Sequence, residues 1–269
     1  MRWKATVVVP TYNAVRELNL VLAGLARQSA APFEVLIADD GSTDETRELV
    51  DGWRPRLPFA LRHFHHADAG FRKSIIVNEA VSHAAGNNLC FLDGDCVPHR
   101  CWVEDHLRSA GEQRVLCGRR LRLGPDASNR LTCAMVENGD LEGLRGKAVH
   151  DPCTRNRGLG LRLPLAISWM CRIRARRLMG CNFSLPLALM REVNGYDEDY
   201  DRFGGEDYDL GVRLQNAGKL MTPFPNRACV FHLYHPTRKM SGGLRAIREE
   251  KEAQNRTRCD NGLDGHGSA

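Results

Sequence analysis

The chain has 269 residues, of which 42% are hydrophobic, so it can bury one sizeable core with at most a small appendage. No apolar run approaches the roughly 18 residues of a membrane span, and the residues before the first predicted strand are too few for a signal peptide. The formal net charge is +5, and the ten cysteines include no CxxC pair. We therefore expect a cytoplasmic protein with reduced cysteines.

Short apolar runs alternate with helical patterns over the first hundred residues. Leu18, Val21, Leu22 and Leu25 recur at the spacing of one helix face. This alternation predicts an α/β fold in which a parallel sheet carries helices on both faces. The predicted strands are 5–9, 33–38, 61–64 and 89–92, and two further helices are predicted at 45–53 and 75–85.

The pattern changes beyond residue 97 and includes an arginine- and glycine-rich stretch with poor periodicity. The Gly- and Asp-rich residues 259–269 are expected to be a disordered tail. We expect a single domain over 1–258, with a nucleotide-binding half at 1–100 and an acceptor half at 101–258. The predicted elements of the second half are helices at 102–110, 185–193 and 206–217 and strands at 115–117 and 229–231.

Basic residues are concentrated in one segment. Between Pro152 and Arg191 the sequence contains no acidic residue. Such a segment is either a solvated face or a surface for an anionic partner, such as a phosphorylated substrate or an acidic membrane. Nucleic acid is disfavoured because no reading motif accompanies the charge. The arginines of the segment are Arg155, Arg157, Arg162, Arg172, Arg174, Arg176, Arg177 and Arg191.

Two carboxylates flank a glycine where the predicted strand 89–92 ends, at Asp93 and Asp95. Ligands of open α/β folds gather at this edge of the sheet. Two oxygen ligands on a short turn suit Mn²⁺ or Mg²⁺ carrying a diphosphate, although Asp-Gly is also an ordinary turn signal. The sequence has no GxGxxG and no P-loop motif, so a diphosphate bound here would need a metal.

The loops after the first two predicted strands carry further polar residues. Pro10, Tyr12 and Asn13 leave the first strand at its carboxyl end, where they form either a turn with a helix cap or part of a ligand crevice. Residues 39–44 (DDGSTD) are either helix-capping acids or a site in which an acid such as Asp40 accepts the N3–H of a uracil ring.

Two glycines precede a pair of acids at Glu206 and Asp207. These acids are either helix-dipole partners or a general base that takes the proton of an attacking sugar hydroxyl. Tyr196 and Phe203 flank the pair and are expected to stack on sugar rings. The glycines would let the backbone approach a ligand closely.

Two histidines end the last predicted strand, His232 and His235. A lone histidine there is usually structural, but two histidines three residues apart favour metal ligation. His232 leaves the strand directly and is the first choice as a third ligand, with His235 left open.

Together these segments resemble the inverting family 2 glycosyltransferases with the GT-A fold, a single Rossmann-like, mostly parallel sheet flanked by helices. Residues 7–13 (VVVPTYN), 39–44 and 93–95 resemble that family's three N-terminal signatures. Residues 180–184 (GCNFS) and 203–207 (FGGED) resemble the site of β1,4-galactosyltransferases and chondroitin polymerases.

The resemblance implies a role for each matching residue. It makes Asp207 the catalytic base, Glu206 an acceptor contact and Asp95 the metal ligand of a DxD motif, with Asp93 touching ribose and metal. Cys229 and His232 match the family's Met-x-x-His ligand pair. The residues implied to surround the nucleotide are Pro10, Tyr12, Asn13, Asp40 and Lys73.

Two positions depart from the family pattern. Phe203 replaces the usual Trp before Gly-Gly-Glu-Asp, which alters the surface on which an acceptor would stack. Val77 replaces an Arg that often precedes Asn78, so Arg72 and Lys73 are expected to take over part of the phosphate clamp.

The resemblance implies transfer from a UDP-sugar, carrying galactose or N-acetylgalactosamine, with Mn²⁺ or Mg²⁺ as cofactor. The expected acceptor is a glycan or lipid-linked oligosaccharide of cell-surface polysaccharide synthesis, reached by peripheral contact at the inner face of the membrane. A nucleotidyltransferase is a rival, but it would want a Gly- and Arg/Lys-rich loop after the first strand. A non-catalytic sugar-nucleotide-binding protein is another, but it would not need Asp95, Asp207 and His232 together.

Overall fold

The protein is described by a computed structural model over residues 4–30, 33–142, 153–155, 162–170, 178–224, 226–236 and 244–267. Of the basic segment, Arg157, Arg172, Arg174, Arg176 and Arg177 lie outside the described residues. None of the helices in the described part is long and apolar enough to cross a membrane. The nine cysteines in these ranges are free thiols.

The main sheet has seven strands in the order β3-β2-β1-β4-β8-β6-β9. All neighbouring pairs are parallel except the two that involve β8, which runs antiparallel to β4 and β6. The predicted mostly parallel α/β sheet is therefore confirmed. Its strands are β1 Ala5–Thr11, β2 Phe33–Asp39, β3 Ala60–His65, β4 Asn88–Leu92, β6 Arg114–Cys117, β8 Asn182–Pro186 and β9 Leu220–Pro223.

A second sheet of three short strands follows the order β5-β10-β7. Its central strand is antiparallel to β5 and parallel to β7. Because β5 begins directly after Asp95, this small sheet brings the end of β10 back to the edge of the main sheet. The three strands are β5 Cys96–Pro98, β7 Arg119–Arg122 and β10 Cys229–His232.

Helices cover both faces of the main sheet, as predicted. Leu18, Val21 and Trp102 pack in one buried cluster on one side, and Ile76 and Leu210 pack in a second cluster on the other. Burial of such side chains drives folding at roughly 25 cal/mol per Å² of apolar surface. The helices are α1 Val15–Ala26, α2 Thr46–Trp53, α3 Lys73–Ser82, α4 Trp102–Ser109, α5 Pro125–Arg130, α6 Cys133–Asn138, α7 Leu165–Met170, α8 Leu187–Glu192, α9 Glu206–Asn216 and α10 Leu244–Ala253.

The prediction of one helix over 185–193 is wrong at its start. Residues Asn182–Pro186 form β8, which lies between β4 and β6 and is buried throughout, and α8 begins only at Leu187. A short apolar run that is buried on both faces has no period that separates strand from helix.

The prediction of a disordered tail over 259–269 is also wrong for residues 259–267. Cys259 and Leu263 are buried, and Asn194 donates a hydrogen bond to the Cys259 carbonyl at 2.9 Å. The Gly- and Asp-rich composition suggested disorder, but two apolar side chains and the left-handed Asn194 turn anchor this segment.

One arginine of the acid-free segment serves the fold rather than a binding surface. Arg162 donates to Asp105 at 2.8 Å, and the buried Arg227 donates to the same carboxylate at 2.5 Å. Helix α4 therefore supplies, through Asp105, the carboxylate that neutralises Arg162.

Candidate active site

Three potential metal ligands converge where β10 meets the turn after β4. Ligand atoms of Asp95, His232 and His235 all lie within 4.8 Å of one another. The nearest approaches to the Asp95 carboxylate are 3.8 Å from Nε2 of His232 and 3.3 Å from Nε2 of His235. One carboxylate oxygen and two imidazole nitrogens are a donor set that a borderline divalent ion such as Mn²⁺ accepts.

The chemical state of His232 suits this arrangement. Burial lowers its pKa, and although Asp95 opposes the shift, Arg120 and Arg122 add to it. A neutral imidazole is the form that binds a metal. By contrast, Cys229, the counterpart of the methionine ligand, is not part of the cluster. It is buried in the core, where burial raises the pKa of its thiol to about 12.

Asp93 lies deeper than Asp95, at the end of β4. Burial raises the pKa of Asp93 to about 7; Lys73 opposes this shift, while Asp95, Asp207 and Glu206 add to it. Lys73, which contacts Glu206 and Asp207, and these two acids all act on the buried Asp93, so the acids of 93–95 and of 206–207 lie close together.

The turn after β4 touches the end of β1 directly. The backbone N–H of Gly94 donates to the carbonyl of Pro10 at 3.1 Å, and a Cβ on Gly94 would come within 2.8 Å of that oxygen. Only glycine permits this approach. The parallel pairing of β1 with β4 thus joins the first and third sequence signatures at one edge.

Lys73 bridges the two acids that open α9. Its Nζ lies 3.2 Å from Oε1 of Glu206 and 3.3 Å from both carboxylate oxygens of Asp207. Burial alone would lower the pKa of Lys73, but Asp207, Glu206 and Asp93 raise it well above its ordinary value. The lysine is therefore a fixed positive charge beside the acids. The sequence led us to expect Lys73 beside the nucleotide. In the structure it lies between Asp93 and the acid pair Glu206 and Asp207.

Glu206 is the more deeply buried member of the acid pair. Burial raises its pKa, against the effect of Lys73, and its Oε2 has no hydrogen-bond partner among the described groups. A buried acceptor without a partner costs free energy, and a ligand hydroxyl would relieve that cost.

Asp207 is held in one orientation and remains accessible. The hydroxyl of Tyr196 donates to its Oδ1 at 3.0 Å, while the Asp207 side chain is 29% exposed. The expectation that Tyr196 stacks on a sugar ring is wrong, because this residue is 1% exposed. Its ring packs edge-on against Phe91 instead.

Gly180 makes room for the Asp207 carboxylate. A Cβ at residue 180 would lie 2.0 Å from Oδ2 of Asp207. Any side chain at residue 180 would displace the carboxylate of Asp207. This is a physical reason for the glycine that begins the GCNFS segment.

We expect Gly180→Ala to lower kcat by about 100-fold, the cost of misplacing a reacting group by about 1 Å. The melting temperature should hardly change, because the group that moves is the free end of one side chain. The matched control is Gly52→Ala, where nothing lies within 4 Å of the added Cβ. Unchanged kcat in the Gly180 variant would contradict the role given to Asp207.

Asp40 occupies a rigid position at the end of β2. Its carboxylate accepts from Nε2 of His66 at 2.8 Å and from the backbone N–H of Arg72 at 3.0 Å. Burial raises its pKa, and His66 and Arg72 counteract that shift. A carboxylate has about four acceptor positions, so Asp40 can accept one further hydrogen bond from a ligand.

Tyr12 and Asn13 follow β1 and lie at the same edge of the sheet as Asp40, which follows β2. The ring of Tyr12 is 41% exposed, and its hydroxyl donates to Asp68 at 3.0 Å. Asn13 has a left-handed φ of 45° and ties the loop after β1 to the loop after β2 through Ser42 and Thr43. The exposed ring offers a stacking surface, and Asn13 stabilises the loop that presents it.

The other aromatic residue of the expected acceptor surface is Phe203. It packs edge-on against Phe71, with ring centroids 5.8 Å apart. Phe203 lies directly before the left-handed Gly204 and Gly205, whose φ angles of 103° and 111° favour glycine, whereas Phe71 lies just before α3.

Sequence reasoning missed three contributions to this site: Lys73 as the partner of the acids, Tyr196 as the donor to Asp207, and His66 as the support of Asp40. A lysine or histidine in a loop gives no local signal of its partner. A tyrosine in the loop before a helix is equally uninformative. His235, left open in the sequence, joins Asp95 and His232 in the cluster of potential metal ligands.

Two family models match successive parts of the chain. Residues 6–159 match the family described as glycosyl transferase family 2, and residues 165–250 match the N-terminal domain of galactosyltransferase. Validoxylamine A glucosyltransferase of Streptomyces hygroscopicus subsp. limoneus is 33% identical over 227 residues, which cover 81% of this chain and 49% of that protein. Chondroitin synthase of Pasteurella multocida is 25% identical over 231 residues, which cover 79% of this chain and 23% of that protein.

The fold is also shared with a solved structure. TarS of S. aureus, residues 1–349 in complex with UDP-GlcNAc, superimposes with a TM-score of 0.61 at 17% identity, covering 98% of this chain and 69% of that one. The shared fold is the GT-A fold. Because the first family match spans more than half of the chain, the protein belongs to glycosyltransferase family 2. It spans about half of the glucosyltransferase and less of chondroitin synthase.

Proposed function

We propose that the protein is an inverting, metal-dependent glycosyltransferase. It moves galactose or N-acetylgalactosamine from a UDP-sugar to a hydroxyl group of a glycan or lipid-linked oligosaccharide. The observation that carries this proposal is the close grouping of Asp207, Glu206 and Lys73 with Asp93 and Asp95.

Asp207 is the group that takes the proton of the acceptor hydroxyl. Its carboxylate is partly exposed, and both Tyr196 and Lys73 favour one fixed orientation. The acceptor oxygen then attacks C1 of the sugar from the face opposite the leaving UDP, which inverts the configuration. A positioned general base contributes about 10²- to 10⁴-fold to such a step.

Asp95, His232 and His235 would hold the divalent ion. When bound, this ion supplies positive charge that stabilises the diphosphate as it leaves. Two nitrogen ligands beside one oxygen favour Mn²⁺ over Mg²⁺, because Mg²⁺ prefers oxygen ligands throughout. The chain's own contribution is to orient these side chains through the antiparallel pairing of β10 with β5.

The uridine would lie between Tyr12 and Asp40. The exposed Tyr12 ring can stack on the base, and Asp40 keeps an acceptor position for the N3–H of uracil. The binding of UDP-GlcNAc by TarS, which shares this fold, supports a uridine nucleotide as donor.

The family match and the relatives bear on the sugar and the acceptor. The galactosyltransferase match over 165–250 favours galactose or N-acetylgalactosamine, whereas the glucosyltransferase relative argues for testing glucose too. Chondroitin synthase among the relatives supports a polysaccharide product. We place the reaction in the cytoplasm, at the inner face of the membrane, as the expected location of a lipid-linked acceptor.

The two rival functions fit the site less well. A nucleotidyltransferase has no use for an oriented base such as Asp207 beside the acceptor position. A non-catalytic binding protein gains nothing from Gly180, whose missing side chain gives Asp207 its place.

A screen of UDP-sugars tests this proposal. We expect Mn²⁺-dependent UDP release from UDP-galactose or UDP-N-acetylgalactosamine, measured alongside UDP-glucose and UDP-N-acetylglucosamine. Chelation by EDTA should remove the release, and added Mn²⁺ should restore it. Release that is unaffected by EDTA, or none from any of the four donors, contradicts the proposal.

A further inference from the structure

Three arginines line the rim of the small sheet beside the metal-ligand cluster: Arg120 and Arg122 of β7, and Arg155. Arg122 and Arg155 are exposed. They are joined by an antiparallel bridge in which each backbone N–H donates to the other's carbonyl, at 3.2 and 2.9 Å. We call these three residues the arginine rim.

The register of the small sheet places the arginine rim next to His232. Arg122 is the partner of His232, and Arg120 is the partner of Val230, in the parallel pairing of β7 with β10. Neighbouring strands lie about 4.8 Å apart, and partner side chains share one face. Leu121, which points to the other face, is buried in the core. The guanidinium groups therefore lie on the same face as the metal ligand.

Arg120 extends this basic surface toward the acid pair. Its Nη1 lies 3.7 Å from Sγ of Cys181, the residue after Gly180. Gly180 in turn adjoins the Asp207 carboxylate. The arginine rim thus runs from the metal ligands toward the position of the attacking hydroxyl.

No carboxylate in the described ranges lies within 4.0 Å of a rim guanidinium group, unlike Arg162, which Asp105 neutralises. Three such guanidinium groups on one rim form a positively charged surface that favours a bound anion.

We propose that the arginine rim binds a phosphate group of the acceptor, so that the acceptor is a glycan or lipid-linked oligosaccharide bearing a phosphomonoester or phosphodiester near the reacting hydroxyl. This inference rests on the proposed function and names the substrate class of the same site. Arginine is suited to the task because its planar guanidinium group donates two parallel hydrogen bonds to a phosphate. The donor diphosphate is the other source of the same chemistry.

The test uses the full chain loaded with Mn²⁺ and saturating UDP, with glycerol 3-phosphate as the probe and glycerol as its neutral partner. Binding is followed by calorimetry or ligand-observed NMR. We expect glycerol 3-phosphate to bind and glycerol not to bind. Arg122→Gln/Arg155→Gln should weaken the phosphate probe about tenfold through loss of charged hydrogen bonds. The affinity of this double variant for UDP should change less than about threefold.

The matched control is Arg108→Gln/Arg191→Gln, which removes the same charge from exposed positions on α4 and α8. It should leave phosphate binding unchanged. Equal weakening by both double variants, or no binding of glycerol 3-phosphate to wild type, overturns the inference. Tenfold weaker UDP binding with no phosphate binding to the UDP-loaded protein assigns the arginines to the donor and also overturns it. A wild-type protein that releases no UDP from any donor refutes the proposed function instead.

Discussion

Asp207→Asn is expected to lower kcat by about 10²- to 10⁴-fold, because an amide keeps the size of the carboxylate but cannot accept the acceptor's proton. The amide oxygen can still accept the hydrogen bond from Tyr196, so the local structure should persist. Affinity for UDP in the presence of Mn²⁺ should stay near wild type. Steady-state kinetics with the best donor, together with calorimetric UDP binding, measure both quantities.

The control for this experiment is Asp51→Asn, which removes an exposed carboxylate on α2. It should leave both kcat and UDP affinity unchanged. If Asp207→Asn turns over near the wild-type rate, the base lies elsewhere, and Glu206→Gln is the next variant to measure.

Asp95→Ala is expected to abolish transfer and to remove the Mn²⁺ dependence of UDP binding. In wild type, UDP with Mn²⁺ at about 100 times its Kd should stabilise the fold by about 2.7 kcal/mol, which raises Tm by roughly 5 °C or more. The variant should show the same small shift with and without Mn²⁺. Thermal unfolding at fixed UDP, with and without the ion, gives the comparison.

His235→Ala refines this second prediction. Because its side chain is 44% exposed and its Nε2 lies 3.3 Å from Asp95, its loss should raise the Mn²⁺ concentration needed for half-maximal activity. Asp95 and His232 remain to hold the ion in this variant, so we expect a smaller effect than that of Asp95→Ala. If Asp95→Ala keeps the full Mn²⁺-dependent stabilisation by UDP, the assignment of Asp95 to a metal site is wrong.

The first half of the fold could be predicted from local patterns. Strands β1, β2 and β4 are continuous buried apolar runs, and the Leu18–Val21–Leu22–Leu25 spacing marks α1. These signals are local because each strand is buried on both faces by the helices that follow it in the chain.

The second half could be predicted only in part: helices α4 and α9 and strands β6 and β10 were predicted, whereas β5, β7 and β9 were not. Strands β5, β7 and β9 have three or four residues, and β7 is three arginines around one leucine. Their pairing joins segments far apart in the chain, such as residues 119–122 with 229–232. Strands of three or four residues carry too little periodicity to show which partner will cover them.

The sequence by itself determined which chemical groups the candidate site would contain: Asp93, Asp95, Glu206, Asp207 and His232. Each stands in a short motif next to a strand end or helix start, where local backbone geometry dictates the residue type. The tertiary structure alone decided how those groups are held. Lys73 meets Asp207 and Glu206 across more than 130 residues of chain, and Tyr196 and Gly180 shape the space around the carboxylate. Such contacts depend on packing between distant elements, and a single sequence carries no local record of that packing.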